Sequence, residues 1–199
     1  IYEVIELARL VAEARGARGI PSVLRAEIEG IPVIERLHAG FRAMTVDQET
    51  GLCINTPEDW SASNFHDGLR PMGFIALTSC LRARAALTMT DFWRHLEESK
   101  RADEYARTVT QLARSIKARL QTPAGWLVVG SRVDRQPDIW ATSMAVYYGL
   151  LSDRAHHRAC RAMLRAYRNG TVAARGYLRH TPTTADVKPG EQVWEHGTQ

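Results

Sequence analysis

Residues 64–74 read NFHDGLRPMGF and set an imidazole (His66), a carboxylate (Asp67) and a guanidinium (Arg70) close together in the chain. Gly68 and Pro71 follow, and an apolar run begins. Two readings of Asp67 stand side by side. In one it closes a loop in an Asp-Gly turn, with Pro71 in the first turn of a helix. In the other it is a catalytic acid at the rim of a helical cavity. Other carboxylates invite the same comparison. Glu58 and Asp59 lie in TPEDW, where capping of a helix or loop is the plain alternative. Glu195 lies in VWEHG between Trp194 and His196, where the plain alternative is an ordinary surface glutamate.

Several other chemistries lack the residues they need. His156 and His157 are adjacent, so on a helix they point ~100° apart and do not share one ion. The chain has no HExxH and no paired CxxC. None of its serines stands in a GxSxG elbow, and no glycine-rich loop is available to cradle a phosphate. No metal or organic cofactor is therefore expected. The net charge of +4 comes almost entirely from arginine, since Lys100, Lys117 and Lys188 are the only lysines. These arginines are interspersed with acids, which favours a solvated helical surface over a nucleic-acid site. No apolar run reaches the ~20 residues of a membrane helix, so no membrane partner is expected. Cys53, Cys80 and Cys160 are odd in number and widely spaced, which favours a reducing, cytoplasm-like compartment over a disulfide framework.

These side chains need a scaffold to position them. A length of 199 residues suits one sizeable domain, and 45% hydrophobic with 24% charged residues excludes wholesale disorder. Residues 2–15 predict a helix closed by Gly16, Gly19 and Pro21. A second helix is expected over 32–44, with Val33, Ile34, Leu37 and Phe41 on one face. The segment 45–68 is long and irregular, and loops of such length in compact domains are often functional. Four further helices follow. Those at 71–90 and 138–151 are apolar on all sides, the former mainly in its first half. Those at 101–121 and 154–169 are amphipathic. The first of this pair carries Ala102, Tyr105, Val109, Leu112, Ile116 and Leu120. The second sets Ala159, Met163, Ala166 and Tyr167 opposite a row of arginines. A helix apolar all round must be covered on both sides, whereas an amphipathic one lies outside. Alternation of the two kinds describes helical hairpins in two concentric layers. No 34- to 47-residue repeat supports a solenoid instead. GWLVVG (125–130) and VAARGYLRH (172–180) read as short strands. The fold class expected is all-α. Both ends look cut, and we expect a piece of a longer chain.

The stretches GLCINTPEDW, HDGLRPMGF, QPDIWATSMAVYYGLL and RGYLRHTPTTAD resemble six-hairpin glycosidases, the (α/α)6-toroid enzymes related to trehalases, processing α-glucosidases and glycogen-debranching glucosidases. The resemblance runs from about residue 30 to the end. A toroid needs twelve helices and six are predicted here, so residues 1–199 correspond to about half of a single catalytic domain. The resemblance implies a glycoside hydrolase acting on an oligosaccharide or glycoside, with α-glucosidic bonds cleaved by inversion. A non-catalytic helical scaffold for a protein partner, or a sugar epimerase or lyase on the same architecture, are the alternatives.

Glycoside hydrolysis usually needs two carboxyl groups, one to protonate the leaving oxygen and one to activate water or attack the sugar. In six-hairpin glycosidases these groups stand on loops before inner helices. Asp67 matches that position and would be the general acid, with His66 and Arg70 binding sugar hydroxyls or tuning its proton affinity. Glu195 would be the second carboxylate or a substrate ligand, unless that carboxylate lies beyond Gln199. Aromatic faces pack against the apolar faces of sugar rings. Among Trp60, Phe65, Trp126, Trp140 and Trp194, Trp60 is the preferred sugar platform and Trp194 a second substrate ligand. Trp140, at the start of an apolar helix, reads as core.

Overall fold

The computed structural model describes residues 1–16, 19–62, 71–132, 135–174 and 176–183. Among them are seven helices, and the strands are short two-residue pairs, so the chain is of the all-α class. It forms two compact units, Ile1–Met44 with Leu81–Leu112, and Thr45–Cys80 with Ala113–Gln199.

The first unit begins with α1 (Tyr2–Ala14), which buries Tyr2, Ile5 and Ala12 and ends where Gly16 takes a φ of +74°. A second, unforeseen helix, α2 (Ile20–Arg25), follows directly. Pro21, whose sequence context predicts a helix stop, stands instead in the first turn of α2, where its missing N–H leaves nothing unsatisfied. Strands β1 (Glu27–Ile28) and β2 (Ile31–Pro32) form a hairpin through Glu29 and Gly30, both at positive φ, the backbone required by the tightest hairpin turn. Arg36 donates to the Ile28 carbonyl and steadies that turn. Helix α3 (Val33–Ala43) buries Ile34, Leu37 and Phe41, as its periodicity predicted.

Two long helices, α4 (Ala76–His95) and α5 (Ser99–Leu120), contribute residues to both units. Within the first unit, Arg82 of α4 is buried. Its Nη1 donates to the Tyr2 hydroxyl at 2.9 Å and the Phe41 carbonyl at 3.0 Å, and its guanidinium lies 4.1 Å from the Phe41 ring centre. Edge-on contacts join Phe41 to Tyr2 and Tyr105, and His38 to Tyr105 and Trp93. Glu97, at φ +64°, closes α4 in the left-handed conformation that usually falls to glycine.

In the sequence α4 was expected over 71–90. It starts five residues later because 71–75 is extended. Gly73 has a φ of +79°, outside helical space, and β4 (Gly73–Phe74) pairs antiparallel with β3 (Ile54–Asn55). From Ala76 to Thr90 the helix has no exposed residue, as its composition predicted. Helix α5 buries Ala102, Tyr105, Leu112, Ile116 and Leu120, leaving its charges outward.

The rest of the second unit contains β5 (Leu127–Val128), β6 (Pro137–Asp138), α6 (Ile139–Tyr147), α7 (Asp153–Arg168) and the hairpin of β7 (Ala173–Ala174) with β8 (Tyr177–Leu178). Strands were expected within 125–130 and 172–180, and both are present. Two expectations are corrected. Helix α6 stops at Tyr147, short of Leu151, and is not covered on every side. It buries Ile139, Ala141, Thr142 and Ala145, while Trp140 is 36% and Tyr147 83% exposed. On α7 the buried face is the alanine row 155, 159, 162 and 166, spaced at helical period. Tyr167 lies one residue, ~100°, past that row and is exposed.

Candidate functional site

The segments that lead into α4 and α6 are laced together within the second unit. Ile54 faces Phe74, and Asn55 faces Gly73. The next residue, Ile75, bridges to Gly130, while Ser131 N donates to the Phe74 carbonyl and Arg132 N to that of Met72. The chain around 129 then pairs with 136–138, Leu127 opposite Asp138 and Val128 opposite Pro137. Finally Ile139 N donates to the His180 carbonyl at 2.8 Å. The result is a ribbon of short antiparallel contacts. Each strand is too short to stand alone, so neighbours and side chains must complete it. The Ser131 hydroxyl accepts from Phe74 N at 2.8 Å and occupies the space that a Cβ on residue 73 would need.

Asn55, 2% exposed, anchors the chain beside this ribbon at Ala62 and Pro71. Its side-chain nitrogen donates to the Pro71 carbonyl at 3.0 Å, and its oxygen accepts from Ala62 N at 3.1 Å. Thr78, in the first turn of α4, donates to the Ala62 carbonyl at 2.6 Å. Two buried side chains thus fix the residues on either side of 63–70.

Among the residues singled out in the sequence, Asp67, His66, Arg70 and Phe65 lie outside the described residues, as do Trp194, Glu195 and His196. Trp60 is described. Trp60 is 37% exposed, and its indole N–H donates to the Pro57 carbonyl at 3.2 Å, which ties the ring to its own loop. Beside it, Asp59 organises the loop. It accepts from the Thr45 hydroxyl at 2.5 Å and from Ser61 N at 2.9 Å, and these bonds hold its carboxyl below the usual carboxylate range. Its geometry is that of a loop cap, and an ionised carboxylate of this kind is unsuited to donating a proton. Glu58 is exposed.

The structure also assembles a cluster that sequence reading did not foresee. Asp138, fully buried, caps α6 by accepting from Ala141 N at 2.8 Å. Its second oxygen lies 3.3 Å from Nε2 of His180, an ion-pair distance. The His180 ring stacks on Trp140 with centres 5.0 Å apart and planes 10° from parallel. A buried carboxylate therefore lies beside a partly exposed imidazole, which stacks on an indole that is itself partly exposed. Asp138 ahead of an apolar helix repeats the pattern that drew attention to Asp67. Nothing in the sequence connected it with His180, some forty residues on. Cys80 lies near this cluster, its thiol directed at the Ala141 carbonyl, and burial pushes its pKa up, aided by the charge of Asp138. It is a packed, unreactive thiol.

Among the described residues no group of three or more histidine, cysteine, aspartate or glutamate side chains could hold a metal ion, and no helix is long and apolar enough to cross a membrane. No protein-family model matches the chain, and the curated proteins give no significant match.

Proposed function

We propose that the chain is part of a glycoside hydrolase built on an (α/α)6 toroid, cleaving α-glucosidic bonds by general acid/base catalysis with inversion. Asp67 donates the proton to the leaving oxygen. Glu195 is the candidate second carboxylate. Trp60 and Trp194 offer faces to the sugar, and His66 and Arg70 bind its hydroxyls. The chemistry needs no metal and no organic cofactor, because one carboxyl supplies the acid and the other activates water.

One observation carries this reading. The four stretches on which the resemblance rests are distant in sequence, yet each contributes to the ribbon: 51–60 through β3, 66–74 through β4, 136–151 through β6, and 175–186 through His180. A ribbon joining the leads into α4 and the half-buried α6 is a base from which loops can present catalytic groups. The Asn55 and Thr78 bonds to Ala62 and Pro71 give the Asp67 segment such a base.

The test uses the complete open reading frame assayed on α-linked oligosaccharides. Asp67→Asn keeps shape and removes the titratable proton, and should lower the rate by ~10²–10⁴. A nitrophenyl glycoside, whose leaving group needs less protonation, should suffer less. Near-full activity of the variant on natural glycosides removes Asp67 from the mechanism. No activity in the unaltered protein on any glycoside, with a folded chain, favours the helical scaffold.

A further inference from the structure

Helix α7 carries five arginines in its sixteen residues: Arg154, Arg158, Arg161, Arg165 and Arg168. At 100° per residue they fall within an arc of ~80°, and they extend along ~21 Å of helix. Asp153 is the only acid on α7. Among the described residues no carboxylate lies within ion-pair distance of any of the five. Arg158 donates to the Gln121 side chain, and among the described residues the other four meet no side-chain acceptor. Like charges three and four residues apart oppose helix formation. The helix dipole offsets this at Arg165 and Arg168, which lie in the last turn, but it aggravates it at Arg154 in the first. Helix stability alone does not account for the row.

The row passes beside an open hollow of about 200 Å³ in which Pro182 and the edge of the buried Trp126 supply apolar surface, and Arg165, Asn169 and Thr171 supply polar groups. Its floor is the packed cluster of Trp126, Ile139, Ala162, Ala166 and Val172. An exposed guanidinium and an amide, with the Thr171 hydroxyl left to accept because it donates to the Ala166 carbonyl, surround a monosaccharide-sized space and suit a sugar unit bearing an anionic group. Lys117 lies one helical turn before Gln121 on α5. Gln121 donates to the Ala155 carbonyl at 3.1 Å, so positive charge continues past the start of α7.

We propose that this face of α7 binds an acidic glycan, an α-linked sugar chain carrying phosphate or sulfate esters. One substituted unit enters the hollow against Arg165 and the edge of Trp126, and the remaining esters lie along the arginine row. The proposal rests on the carbohydrate reading above and extends it from bond cleavage to polymer capture. A single narrow row beside a sugar-sized pocket suits a linear glycan better than a nucleic acid, whose bases need a series of stacking rings along the basic track.

The test is equilibrium binding, with no turnover required, to four probes: phosphorylated maltohexaose, sulfated maltohexaose, neutral maltohexaose and a single-stranded oligodeoxynucleotide of equal charge. The expected result is salt-dependent binding of one or both esters, which also tells phosphate from sulfate, with the neutral sugar and the DNA at least about tenfold weaker. Arg161→Gln and Arg165→Gln should each weaken ester binding by about tenfold or more. Asn169→Ala should weaken the sugars and leave the residual DNA binding unchanged. All three positions are exposed, and circular dichroism verifies that the variants fold. DNA binding as tight as the esters, or no binding of either ester, overturns the proposal. Asp67→Asn separates it from the hydrolase reading. Ester binding that persists while every glycoside resists hydrolysis sinks only the hydrolase. Hydrolysis that survives without ester binding sinks only the arginine face.

Discussion

The side-chain amide of Asn55 donates to the carbonyl of Pro71 at 3.0 Å, sixteen residues further along the chain, and both groups are buried. The same side chain accepts from Ala62 N, so one residue holds both Ala62 and Pro71. Replacing Asn55 with leucine, close in volume but apolar, strands two backbone groups. Each buried group that loses its partner costs about 1–3 kcal/mol. Urea unfolding should register a loss of that order. Asn55→Asp, which keeps the acceptor for Ala62 but not the donor for Pro71, should also lose stability. Midpoints unchanged from the parent in both variants would show that the clamp contributes nothing.

Gly73 offers a sharper comparison. A Cβ there would lie 2.4 Å from the Ser131 hydroxyl oxygen and 2.9 Å from Arg132 Cγ, at a φ of +79°. Gly149 has a similar φ of +67° but open space around its Cβ position. Gly149→Ala should cost ~1–2 kcal/mol from backbone conformation alone. Gly73→Ala should cost clearly more, because the ribbon must also yield. Equal losses by thermal or chemical denaturation would mean that the Ser131 contact is soft.

Asp138 joins two functions that substitution can separate. Asp138→Asn preserves an oxygen for Ala141 N and abolishes the charge facing His180. Asp138→Ala removes both. The alanine variant should be less stable than the asparagine variant by ~1 kcal/mol, the usual worth of an N-cap. An asparagine variant as damaged as the alanine variant would place the whole effect in the Asp138–His180 pair.

His38 predicts a dependence on pH. Burial first, then the positive charge of Arg101, lowers its pKa from the ordinary histidine value. The unfolded chain therefore binds a proton more readily, and stability rises with pH wherever that difference operates. The contribution is complete above about 6.5 and is lost as pH falls from there through the lower folded value. Asp47 and Asp59, whose carboxyls hydrogen bonds hold below the usual range, add an acid-side loss in a separate window below ~4. The unfolding midpoint should decline between pH 7 and 5 in the parent and less in His38→Gln. Identical slopes would assign the decline elsewhere.

Much of the helical scaffold was legible because α3, α5 and α7 bury one face each, and one buried face writes a 3.6-residue period. The start of α4 was not, since Pro71–Ile75 is as apolar as the helix behind it and only backbone pairing with Ile54 and Asn55 distinguishes the two. Helix α2 was hidden by the same glycines and proline that signal a stop. Composition made α6 look covered all round, because tyrosine and tryptophan count as apolar even where Tyr147 faces solvent. The pattern around Asp67 was visible as a motif. The Asn55 clamp and the Asp138–His180–Trp140 cluster were not, because each depends on contacts across the ribbon that leave no local periodicity.

The ribbon also orders events in time. Its bridge between Ile75 and Gly130 spans two helices of nearly equal length, α4 and α5, joined by only three residues. Left as free coil, a loop of that length is entropically costly to close. Helix formation in α4 and α5 shortens the span to be closed, and local helical contacts form quickly. We therefore expect the ribbon to form late in folding. Slow steps should be altered more by substitutions at Ile75, Gly73 or Ser131 through unfolding rates than through folding rates. The part of the molecule where four distant stretches of chain meet would then be the last to set and the first to open.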